Sequence, residues 1–224
     1  MCRQLLTACV LVLLLGSCKA PPAQADAAAA ASGPKLFDDF GDLHRDIGSQ
    51  VPAAQRYFDQ GLRMAYGFNH EAAGRAFAEA ARLDPRCAIC LWGRALVLGP
   101  NINLPMDPAS AKDATALARR ALALSADATP ADRALIEALQ LRYADPAPED
   151  RKPLDQAYAD AMATVVREFP ADDDAAALYA EALMDLTPWN YWTANGQASG
   201  DTPRILSSLE TVLARNPRHI GAMH

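Results

Sequence analysis

This chain of 224 residues lacks a basic excess, a long hydrophobic span and any abundance of aromatic side chains. Lys and Arg number 21 against 27 Asp and Glu, for a net charge of −6. No basic stripe is present to neutralise phosphates, so nucleic acid is excluded as the natural partner. The N-terminal apolar run, Leu5 to Leu15, falls short of the roughly 20 residues that a permanent transmembrane helix requires. No Ser-His-Asp arrangement, phosphate-binding glycine loop or paired-carboxylate pattern of useful specificity is visible, so neither hydrolase nor nucleotide chemistry is signalled. Cysteine is scarce, at positions 2, 9, 18, 87 and 90. Apolar residues make up 51 % of the chain, but much of this is alanine, which suits close helix packing better than a thick aliphatic core.

The N-terminus carries one positive charge at Arg3, then the apolar run, then Leu15-Gly16-Ser17-Cys18. This order reads as a lipoprotein signal peptide over residues 1–17, with the Cys18 thiol acylated and small residues fitting the peptidase site. An ordinary secretory signal cleaved nearby, after Ala20, is the alternative reading. Lys19 follows the cysteine where an aspartate would signal retention, which resembles the default for outer-membrane sorting and a periplasm-facing location. Residues 18–35 are an Ala/Pro-rich flexible tether, and residues 36–224 form the folded domain. Within it, LFDDFGDLHRDI is expected to be one short helix with Phe37, Phe40, Leu43 and Ile47 on one face.

The stretch Ala54–Pro85 organises the rest. It reads as two amphipathic helices, with Gly61 and Ala73 at a close approach, Tyr57, Met64 and Phe77 filling the seam, and Pro85 closing the second helix. From Gly61, the gaps to Ala73, Phe77, Ala80 and Pro85 are those of one tetratricopeptide-type hairpin. The seam returns at Leu91 and Ala95, 34 residues beyond Tyr57 and Gly61. Further starts are expected near 131, after Thr129-Pro130, and near 173, after Asp172. The fold class is therefore all-α: a right-handed solenoid of about four tetratricopeptide-like hairpins with inserted loops. A fifth hairpin would open near 219 but the sequence reaches only His224, so its last residues are expected to fray or be covered by another chain. The Asp172–Asp174 run reads as a helix-start charge cluster.

Four stretches, YFDQGLRMAYGFNHEAA, RLDPRCAICLWGRALVLGPNIN, YAEALMDLTPWNYW and NPRHIGAMH, together resemble an uncharacterised family of bacterial exported proteins with tetratricopeptide-like repeats. The resemblance runs from about Leu36 to the end. It implies further histidines and an acidic residue beyond the equivalent of His224, which this sequence does not contain.

Candidate chemistry is sparse. Cys87 and Cys90 stand three apart at a helix start, where they can form a disulfide or supply two soft ligands to a transition metal. Their place in a repeat helix gives little support to a thioredoxin-type mechanism. His70 sits in a turn, where Asn69 or His70 can cap the next helix. Asn101 and Asn103 in GPNIN, and Trp189 and Trp192 in PWNYW, belong to inserted loops. Loops inserted at fixed points of a repeat array fall on one face, so these side chains and His70 can line one groove for a ligand or partner. Alternatively, the two indoles fold back into gaps between repeats. His219 and His224 are five apart, off the same-face spacing, and make a weak metal pair.

These features favour a lipid-anchored scaffold that binds a protein or peptide partner, with the lipid as its only membrane contact. One alternative is a metal- or thiol-dependent enzyme using Cys87, Cys90 and the histidines. Another is a structural subunit of an envelope complex.

Overall fold

The computed structural model describes residues 33–224. The signal segment, Cys18 and the tether up to residue 32 lie outside the described residues. Among the described residues the chain is all-helical, with no strand and only two isolated bridges, Asn101 to Leu104 and Trp192 to Ala198.

Helix α1 spans Pro52–Tyr66 and opens on proline, whose fixed φ suits the first helical turn and whose missing N–H would be unpaired there anyway. Helix α2 (His70–Leu83) is capped by Asn69, whose side chain accepts from the Ala72 N–H at 3.3 Å. Helix α3 (Ala88–Leu96) begins after Cys87, and α4 (Ala111–Leu124) follows a short 3-10 turn at Pro108–Ser110. Helix α5 (Pro130–Leu139) is capped by Thr129 and continues as a 3-10 turn, Gln140–Arg142. The remaining helices are α6 (Lys152–Glu168), α7 (Asp173–Leu186, capped by Asp172), α8 (Thr202–Arg215) and α9 (Ile220–Met223, capped by His219).

Consecutive helices pack side by side through most of the chain, and α1 also meets α3, as α3 meets α5. Helix α9 packs on α8 and α7 and closes back against α1. Alanine permits these approaches: Ala54, Ala73, Ala76, Ala80, Ala95, Ala114 and Ala121 are all fully buried. Phe77 of α2 is the main wedge. A Cβ at Gly61 of α1 would lie 2.8 Å from its ring and one at Gly93 of α3 would lie 2.7 Å away, so both neighbours must be glycine. Phe58 meets the same ring at a centroid distance of 5.3 Å. Burying a phenyl ring in this way contributes roughly 2–3 kcal/mol.

Two expectations are corrected. Residues 36–47 are not a helix but an extended strap. Gly41 and Gly48 take positive φ of 82° and 66°, and Phe37 and Phe40 remain partly exposed, leaving only Leu43 and Ile47 to pack on the core. Side chains of α1 satisfy the strap's backbone in place of helical bonds, as described below. Nor do the last residues fray: α9 is ordered against α1, and His219 is 1 % exposed.

Candidate functional site

The strap, residues 34–50, lies along α1 and is held largely through its main chain. Gln60 accepts from the Phe37 N–H at 2.9 Å and donates to the Lys35 carbonyl at 2.9 Å. Gln55 donates to the Arg45 carbonyl at 2.8 Å and accepts from the Ile47 N–H at 3.1 Å. Arg63 Nε donates to the Leu43 carbonyl at 2.9 Å, and Tyr57 donates to that of Pro34 at 2.9 Å. These contacts read backbone more than sequence.

The exception is the pair His44 and Arg45. His44 Nδ1 stands 2.8 Å from Asp59 of α1. Arg45 crosses to the start of two other helices: its Nη2 donates to Asp132 of α5 at 2.7 Å, and its Nη1 to Asp174 of α7 at 3.2 Å. Both terminal nitrogens also meet Asp172 at 3.0 Å. Burial alone would lower the Arg45 pKa, but Asp172, Asp132 and Asp174 more than reverse this and hold it above its ordinary value. Arg218 pairs with Asp42 and ties the strap to the residues before α9.

Around Asp174, side chains from α1, α5, α7 and the cap of α9 converge. Tyr66 donates to Asp174 Oδ1 at 2.8 Å, and His219 Nε2 lies 3.2 Å from the same oxygen. Burial works to raise the Asp174 pKa, but hydrogen bonds from His219 and Tyr66, with the Arg45 charge, keep it below the ordinary carboxylate value. Burial beside Asp174 pushes the Tyr66 phenol well up.

A second polar group lies at the turn between α1 and α2, beside the GPNIN loop. Phe68, at a positive φ of 56°, places its ring between two imidazoles, 5.9 Å from His70 and 5.0 Å from His224. His224 Nδ1 meets the Tyr66 carbonyl at 2.7 Å. Asn101 Nδ2 lies 3.4 Å from His70 Nδ1, while Asn101 Oδ1 accepts from the N–H groups of Asn103 and Leu104. Burial, then the charge of Arg142, lower the His70 pKa, so its ring is neutral at pH 7.

Behind this group Arg142 is almost wholly buried. It donates to the Pro100 carbonyl at 2.9 Å and to Asp185 Oδ2 at 2.8 Å, and lies 4.6 Å over the Tyr158 ring. The other Asp185 oxygen is buried without a partner. Burial pushes the Asp185 carboxyl up to about 7 in spite of Arg142. Glu181, one turn earlier on α7, is likewise raised by burial against the opposing pull of Arg142.

The candidate residues from the sequence thus fall in separate places. His70 and Asn101 come together with His224. Asn103 is exposed and serves the turn through its N–H. Trp189 and Trp192 are 71 % and 53 % exposed, plug no gap, and line neither of the two cavities near His70 and His224. Cys87 and Cys90 are joined to each other as a disulfide, and in that form neither offers a thiolate to a transition metal. Cys87 lines a cleft of about 360 Å³ beside the end of the strap, with Ile47, Val51, Thr129 and Asp132. His219 and His224 serve different partners, Asp174 and Tyr66, and do not form the metal pair considered from their spacing. Among the described residues no three His, Cys, Asp or Glu side chains gather into a set that could hold a metal ion.

Sequence reading missed Arg45, Asp132, Tyr66, Arg142, Glu181 and Asp185. A signal existed for the Asp172–Asp174 run, but capping explained it completely within α7. The arginine that claims it stands more than 120 residues away. No protein-family profile, curated protein or solved structure matches this chain.

Proposed function

We propose that this protein is a scaffold built as a right-handed solenoid of about four tetratricopeptide-like hairpins, anchored at the cell envelope through lipid on Cys18. In this reading it binds an extended segment of a protein partner, and the bound segment undergoes no covalent change. One observation carries the reading: α1 and the starts of α5 and α7 already hold an extended segment of the same chain. Gln55, Gln60 and Arg63 take the strap's backbone groups, and carboxylates from α5 and α7 take its arginine. Such recognition suits many sequences with a few anchoring side chains. The strap covers α1 and the helix starts. The edge formed by Phe68, His70, Ile102, Met184 and His224 carries cavities free for a partner.

The test is selection of peptides from a random extended library on the full chain, followed by hydrogen-exchange mapping of those that bind. Protection of residues 62–70, 96–104 and 177–184 is expected. Protection confined to α4, α6 and α8, or no peptide above a scrambled control, overturns the reading. For the anchor, Cys18→Ser is expected to abolish incorporation of a labelled fatty acid and to release the protein from membranes.

A further inference from the structure

Glu181 projects from the middle of α7 between two small cavities and lines both of them. The larger, about 70 Å³, is walled by Tyr66, Phe68, Ile102, Met184 and His224. The smaller, about 10 Å³, reaches His70 and Leu96. Among the described residues the Glu181 carboxyl makes no hydrogen bond, and the opposite charge acting on it is that of Arg142. That arginine is already engaged by Asp185 and by the Pro100 carbonyl. The Glu181 carboxyl is therefore left without a counter-charge of its own, in a pocket whose other walls are aromatic rings and apolar side chains.

An anion does not fit beside the Glu181 carboxylate, the acidic side chain that lines both cavities. A neutral apolar group would strip water from the half-buried Glu181 carboxyl and offer it no hydrogen bond in return, which is unfavourable. A compact cation satisfies both the carboxylate and the ring faces, because aromatic quadrupoles attract cations as carboxylates do. His70 does not oppose it, since its ring is held neutral. The larger cavity exceeds the roughly 10–15 Å³ that a single water needs, so it has room for a small head group. A guanidinium asks for a planar two-oxygen fork, whereas an ammonium asks for a point charge in a rounded pocket.

We propose that this pocket takes the ε-ammonium group of a lysine on the bound partner segment, with Glu181 as counter-ion and Tyr66, Phe68 and His224 as aromatic walls. The assignment rests on the peptide-binding reading given above. It adds the identity of the anchoring side chain. The titratable and charged groups facing Glu181 are Arg142, Asp185, Tyr66, His70 and His224. Burial raises the Glu181 pKa against the pull of Arg142, so a bound ammonium favours its ionised form. Binding then releases up to one proton and tightens toward alkaline pH.

The experiment is calorimetric titration of the full chain with the capped peptide Ac-Gly-Gly-Lys-Gly-Gly-NH2, its Nε-acetyl-lysine counterpart, and n-butylamine. The lysine peptide is expected to bind at least tenfold more tightly than the acetylated one. Its enthalpy should vary with buffer ionisation heat, which reports the released proton, and Glu181→Gln should weaken it at least tenfold. Equal binding of the acetylated peptide, or unchanged binding to E181Q, overturns the assignment. Butylamine binding as tightly as the peptide also overturns it, in favour of a free amine. No binding of the lysine peptide, while library-selected peptides still bind, overturns the pocket but leaves the scaffold standing. Should E181Q fold poorly, the wild-type His70 and His224 imidazole resonances give the second readout: they shift with the lysine peptide and not with its acetylated form.

Discussion

Arg45 and Asp172 meet as two parallel hydrogen bonds, Nη1 to Oδ1 and Nη2 to Oδ2, each 3.0 Å long, across 127 residues of sequence. This fork-to-fork geometry is the strongest form of an arginine–carboxylate contact. It makes one side chain of an extended strap the link between α5 and α7. Asp132 and Asp174 share the same guanidinium, so a single cation serves carboxylates on two helices.

Arg45→Ala leaves those carboxylates buried without their cation. Removing one partner of a buried ion pair is strongly destabilising, so a loss of about 3 kcal/mol is expected in urea unfolding. Arg45→Lys should recover only part of it, because an ammonium cannot reproduce the fork. Limited proteolysis should cut R45A within residues 36–50 well before wild type. A strap as resistant in R45A as in wild type would show that its backbone contacts suffice.

Phe77 has no room to move between Gly61 and Gly93, on whose Cβ positions its ring encroaches. Gly93→Ala is expected to destabilise by about 1–3 kcal/mol through overpacking. Combining it with Phe77→Leu should give less than the sum of the two single losses, since the shorter side chain removes the clash. Strict additivity in chemical denaturation would place the strain elsewhere.

Buried carboxylates set the pH response. Asp185 rises from 3.8 to about 7 on folding, and Glu181 shifts in the same direction, both because burial disfavours the charge. Between the unfolded and folded values the native state binds more protons than the unfolded one, so these groups contribute stability that falls as pH rises through that window. Asp174 is depressed, so its contribution is present above its ordinary value and is lost at low pH. Glu181→Gln is therefore expected to raise the Tm at pH 8 and leave it nearly unchanged at pH 4, below the ordinary carboxyl value. An equal effect at both values would mean the carboxyl is not perturbed.

The Cys87–Cys90 bridge closes a very short loop, so it constrains the unfolded chain little. Stabilisation of about 2 kcal/mol is expected from chain entropy. The double change Cys87→Ser with Cys90→Ser should lower the Tm by the same amount as adding a reductant to wild type, and the reductant should not affect the variant.

The sequence by itself determined the helices. Proline at first turns, Asn69, Thr129 and Asp172 as caps, and the small-residue seam around Phe77 are local signals, written within a few residues of the structure they produce. It also grouped His70 with the GPNIN asparagines and the two tryptophans, because loops inserted in a repeat array tend to share a face. Asn101 meets His70, whereas Trp189 and Trp192 stay exposed. What it could not show was the strap. Residues 36–47 carry a helical apolar spacing, but the glutamines and arginine of α1 compete for their backbone groups, and Arg45 finds its carboxylates only when the fold brings the starts of α5 and α7 together. The same holds for Glu181. In the sequence it is one more polar position on an alanine-rich helix, and it becomes a carboxyl without a hydrogen-bond partner, lining two cavities, only where α1, α7 and the residues around His224 come together. Local chemistry fixes where the backbone turns and caps. The value of a charge depends on what surrounds it, and only the tertiary structure decides that.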